Sequence, residues 1–136
     1  MEKETTEHRT EWLSDYARVV RVGKYLHVSG ITAWDDGMPG NEAMDTYTQV
    51  VRCFNNVEAV LFRAGLSLAE VVRVRIYLAK GADRKSALDA WAGVFSSRYP
   101  VTAVIEAGRL FRPEILAEIE VDACFTIRSK TPQISN

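Results

Sequence analysis

Three acids occupy alternate positions in the run AEIEVDA: Glu118, Glu120 and Asp122. A strand's period of two points all three side chains to one face. Such a carboxylate can meet water, balance a cation, or move protons in a reaction if burial lifts its pKa toward neutrality. The spacing alone favours a paired strand acid for Glu118 and structural roles for Glu120 and Asp122, with Arg73 or Arg75 as their partners. The remaining reactive types offer less. Ser29 has no Asp-His pair beside it, His8 lies in the polar start, and His27 sits in a strand pattern, so no Ser-His-Asp triad can be argued. Cys53 and Cys124 fall in apolar periodic segments without metal-ligand spacing and read as buried free thiols.

Positioning these groups requires a sheet and its cover. ARVVRVGKYLHVSG reads as two short strands broken at Gly23-Lys24, because β-branched and aromatic residues dominate on both sides. WDDGMPGNEA has loop composition. From Glu42 to Ala64, Tyr47, Val50, Phe54, Val57, Leu61 and Ala64 recur at spacings of three and four, one stripe of an amphipathic helix that Gly65 should end. VVRVRIYL alternates Val72, Val74, Ile76 and Leu78 against Val71, Arg73, Arg75 and Tyr77, the pattern of a strand with one buried face. Asp83 caps a second helix whose stripe is Ala87, Leu88, Trp91, Val94 and Phe95, with Pro100 forbidding continuation.

Strands over 101–107 and 116–127 complete the order β-β-α-β-α-β-β, an α+β mixed sheet with two helices on one face. The opposite face would carry Val71, Tyr77, Arg73, Arg75, Thr102, Val104, Glu106 and the acidic ladder. That mixture is too charged for a monomer core and more apolar than a wetted face needs, so it suggests a partly polar subunit interface.

A chain of 136 residues suits one domain, here 12–128, with flexible segments at 1–11 and 129–136. With 17 basic and 18 acidic residues the net charge is −1, which supplies no broad attraction for nucleic acid or an anionic membrane surface. No apolar run reaches the roughly 18 residues of a membrane span, and the charged start MEKETTEHRTEW does not resemble a signal segment. A reducing, cytoplasmic setting is expected.

The order of elements, with "VSG" ending the second strand, "Q…NN…L…AGL" in the first helix, "VVRVRIYL", "VFSSRYP" and the closing "AEIEVDA", resembles the Rid (YjgF) family of reactive-intermediate deaminases over roughly residues 16–127. The resemblance implies a chorismate-mutase-like fold assembled as a homotrimer, with ligand clefts between subunits. It also implies no metal or organic cofactor and the hydrolysis of small imines and enamines to a carbonyl compound and ammonia. Carried over by position, Glu118 matches the carboxylate that positions or activates water, Tyr16 a tyrosine ahead of the first strand, and Ser29-Gly30 the cleft-lining pair, cast here as hydrogen-bonding groups for a ligand.

One departure stands out. Where the family's deaminases place an arginine two residues after the turn proline, this chain has Pro100-Val101-Thr102. Threonine offers one hydrogen bond and no charge, so bidentate capture of a substrate carboxylate should be lost. Leu88 also stands where the family often has an asparagine. Arg98, Arg109 and Arg112 are the arginines placed to substitute for the missing one. The expectation is a cofactor-independent hydrolase of shifted specificity with Thr102 in the substrate site. The alternatives are a non-catalytic trimer that binds a small metabolite, and a different hydrolytic or tautomerising activity.

Overall fold

A computed structural model describes residues 3–5, 18–34 and 43–125. Strands β1 (Lys3–Thr5), β2 (Val19–Val22) and β3 (Tyr25–Ile31) precede helix α1 (Thr46–Arg63). Then follow β4 (Val71–Leu78), α2 (Arg84–Phe95), β5 (Val101–Glu106) and β6 (Ala117–Cys124). The strands form one sheet in the order β1-β2-β3-β6-β4-β5, antiparallel throughout except for the β4–β5 pair. The α+β architecture agrees with the sequence pattern, with one addition. Lys3–Thr5 pairs with β2, inside the segment expected to be a free terminus.

The elements form for local reasons. Gly23 adopts φ 60 between β2 and β3, the left-handed first position of a type II′ hairpin turn. Asp45 caps α1 by accepting from Thr48 N–H at 2.8 Å, and the helix ends at Gly65, whose φ of 82 suits glycine. Asp83 caps α2 through Lys85 and Ser86 N–H. That helix stops at Phe95, where Ser96 turns to φ 58, four residues before the proline expected to end it.

The core lies between the helices and one sheet face. Val50, Phe54, Val57 and Leu61 of α1 meet Val74, Ile76, Ile119 and Val121, all buried. Each such side chain contributes roughly 1.5–3 kcal/mol by leaving water. Phe54 and Phe95 pack edge to face at 5.2 Å between ring centroids, joining the helices. Tyr47, expected in the α1 stripe, is instead 47% exposed.

Two strand faces differ from the sequence pattern. A register shift in the β4–β6 ladder between Val71 and Arg73 turns Val71 into the core and leaves Val72 only partly buried. In β5, Thr102 pairs with Val74 and Val104 with Ile76, so both point to the helix side, and Val104 packs against the core. Val101, Ala103 and Ile105 take the outer face beside Arg73, Arg75 and Tyr77. The strand's alternation was read with the wrong parity.

Candidate active site

The site begins with an irregularity in β3. Val28 pairs with Val121 and Ile31 with Ile119, so Ser29 and Gly30 together oppose the single residue Glu120. Such a bulge bends the strand and changes what lies over it. Ser29 N–H donates to the Arg18 carbonyl at 2.9 Å, fixing the bulge to the start of β2. Gly30 then lies directly beneath the Glu118 carboxylate. A Cβ at that position would overlap Glu118 Oε2, so glycine lets the carboxylate lie in this place and a larger residue would push it aside.

Glu118 projects from β6, opposite Tyr77 of β4. Among the described residues no hydrogen bond or ion pair reaches its carboxylate, in contrast to its neighbours on the ladder. Glu120 accepts from Tyr77 Oη at 2.7 Å and lies 3.4 Å from Arg75 Nη1. Asp122 accepts from His27 at 2.7 Å, which puts the proton on Nδ1, with Arg75 Nη1 at 3.8 Å and Arg73 Nε at 3.9 Å. The expected pairing of Arg73 and Arg75 with these acids therefore forms within one chain.

Electrostatics separate the three acids further. Burial, and then the negative charge of Glu120, push the Glu118 carboxyl above the ordinary glutamate range. The Tyr77 phenol is raised chiefly because its hydrogen is donated to Glu120. On the helix side of β6, Cys53 is fully buried with its Sγ 3.8 Å from the Ala117 carbonyl, and burial raises its thiol strongly. Cys53 is therefore an inert core thiol, and Cys124 is likewise buried.

The "Q…NN" residues are scaffolding for this arrangement. Buried Gln49 donates to the Met44 and Glu114 carbonyls at 3.0 and 2.9 Å and accepts from Leu116 N–H at 2.8 Å, tying α1 to the segment that enters β6. Asn56 donates to the Thr32 carbonyl at 3.0 Å and holds the exit of β3.

One chain thus brings Gly30 against Glu118, with Ser29 next to Gly30 in the bulge. Thr102 stands apart, two strands away from β6 on the opposite sheet face, with its hydroxyl donated to the Pro100 carbonyl at 2.9 Å. Tyr16 lies outside the described residues. Of the three arginines considered as substitutes, Arg98 lines a groove with Phe62 and Glu70, Arg112 lies over the Phe111 ring at 5.7 Å, and Arg109 is exposed. Nothing in the spacing of the sequence marks Tyr77 or His27 as part of this network. Tyr77 lies on the outer face as its alternation implies, and its cross-strand register sets what it holds.

The mixed sheet, the helices covering one face and a glutamate over a glycine bulge define a small α+β domain with a candidate site at Glu118. The family described as Endoribonuclease L-PSP matches residues 6–125, and the chain belongs to this family, the YjgF/Rid proteins. A RutC family protein of Saccharolobus solfataricus is 31% identical over 118 residues, covering 87% of this chain and 93% of that protein. The crystal structure of Rv2704 from Mycobacterium tuberculosis, a member of the YjgF/YER057c/UK114 family, is similar with TM-score 0.76 and 31% identity, over 90% of this chain and 99% of that one. RidA from an Antarctic Psychrobacter is similar with TM-score 0.70 and 26% identity, over 80% and 87%.

Proposed function

We propose that this chain is a cofactor-independent hydrolase of small imines or enamines in which Glu118 handles the protons. The observation that carries this reading is the contrast along one ladder. Glu120 and Asp122 are held by cations and hydroxyl or imidazole donors, whereas Glu118 is unpaired among the described residues, lies above a glycine and has its carboxyl raised by burial above the ordinary glutamate range. A partner-bound carboxylate is a structural anion, and an unpaired, partly buried one is ready to exchange a proton.

In this mechanism the Glu118 carboxylate takes a proton from water as the oxygen adds to the carbon of a protonated C=N group. The neutral carbinolamine then receives that proton on nitrogen. Its C–N bond breaks as the hydroxyl oxygen forms the carbonyl, and the hydroxyl proton passes back to Glu118 and on to solvent. Ammonia and a carbonyl compound leave. The protein contributes orientation, a shielded site and proton transfer. Ser29 and Tyr16 supply polar contacts to the substrate, and Gly30 the space.

Thr102 enters from another copy. The exposed Val101, Ala103 and Ile105 on the outer face support a homotrimer with clefts between subunits, and the cytoplasm is its proposed setting. An uncharged Thr102 suits substrates without an α-carboxylate. The same substitution favours, as a second reading, a trimer that binds a metabolite without turning it over.

Freshly generated imines, with and without an α-carboxylate, separate these readings. The parent should release ammonia from the carboxylate-free members, and Thr102→Arg should shift kcat/KM toward the carboxylated ones by about tenfold or more. A parent inert on the whole panel, with only Thr102→Arg active, would favour the binding protein.

A further inference from the structure

Two acids on one strand face, two residues apart, repel each other unless one of them is neutralised. Here the donors that stabilise a carboxylate are shared unequally. Tyr77 and Arg75 both turn to Glu120, while Glu118, directly across from Tyr77 in the ladder, receives neither. A tyrosine opposite Glu118 was free by register to serve it, and its hydroxyl is committed to the next acid instead.

We propose that Glu120, clamped by Tyr77 and Arg75, is a positioning residue of the site: its carboxylate is held beside Glu118 by donors that Glu118 does not share, which leaves Glu118 as the member of the pair that gains and loses the proton. This inference rests on the hydrolase reading for its purpose, although its electrostatic content can be measured without turnover. The raised affinity of Glu118 for a proton, caused first by burial and then by Glu120, agrees with the geometry. Among the described residues the groups facing Glu118 are few. From β3 come Gly30 and Ser29, with His27 further along on Asp122. From β4 come Tyr77 and Arg75, and on its own strand stands Glu120. Cys53 lies on the other sheet face, bonded toward Ala117.

The test is a titration of Glu118 followed by carboxyl-carbon NMR on protein labelled at glutamate, in the full chain. Glu120→Gln keeps an oxygen to accept from Tyr77 and Arg75 but removes the charge, so the Glu118 midpoint should fall toward that of an ordinary glutamate. Tyr77→Phe, which releases Glu120 toward solvent, should move it the same way by less. Asp122→Asn removes an equal charge further along the ladder and serves as the control for a general effect.

In turnover assays the acid limb of the kcat/KM profile should move with the NMR midpoint in Glu120→Gln. A Glu118 midpoint that stays in place in both Glu120→Gln and Tyr77→Phe, or that moves equally in Asp122→Asn, overturns the proposal. A moved midpoint in a protein without imine turnover supports the hold of Glu120 on Glu118 and overturns the hydrolase reading alone.

Discussion

Glu118 carries a cost that its neighbours on the ladder do not. Its folded-state pKa is raised, so the folded protein holds the Glu118 proton more tightly than the unfolded chain does. The stabilisation this provides is fully present below the ordinary glutamate range and is lost as pH rises through the raised value. Above the raised value the protein keeps a partly desolvated anion against its own stability. Glu118→Gln should accordingly melt at a higher temperature than the parent at pH 7, and the difference should vanish below about pH 4, where both side chains are neutral. Thermal melts across pH check this. Period-two spacing could not distinguish Glu118 from Glu120 and Asp122, because all three share one parity. What separates them is the neighbour on the adjoining strand, Gly30 for Glu118 and Tyr77 with Arg75 for Glu120.

Among the elements, α1 does more than cover the sheet. Gln49, buried within it, satisfies three backbone groups from the segments before α1 and before β6, so the helix sets the path by which Glu118 enters the site. Gln49→Leu matches the apolar surroundings yet strands Leu116 N–H and two carbonyls, and should cost about 2–3 kcal/mol in denaturant unfolding. The helix itself was legible from its apolar stripe, as were the β2–β3 hairpin and β4. The misread faces have a common physical origin. In β4 the shift falls between Val71 and Arg73, where Val71 and Val72 are both apolar, so no residue type marks which of them turns inward. In β5 the sets Val101-Ala103-Ile105 and Thr102-Val104 are each compatible with burial, and only pairing with β4 decides which faces the helices. The Ser29-Gly30 bulge is likewise a property of register, visible in the sequence only as a glycine in a strand.

For the whole molecule, the outer sheet face sets the question. Val101 is 60% exposed and Ile105 38%, next to a network of Arg73, Arg75, Tyr77, Glu120 and Asp122 whose polar groups already have partners within the chain. A partnered polar strip beside exposed aliphatics is suited to being covered by another copy. Sedimentation should give three times the chain mass of 15.3 kDa, and Val101→Asp combined with Ile105→Asp should shift the distribution toward single chains. If the site needs Thr102 of a second copy, that variant should also lose turnover while retaining its fold by circular dichroism. The central claim is that Glu118 handles the protons of imine hydrolysis, and ammonia release by the parent and by Glu118→Gln on one carboxylate-free imine at pH 7 tests it most directly. A loss of about a hundredfold or more in kcat/KM, in a variant that melts no lower than the parent, is the expected result. Equal rates for the two proteins would contradict the account.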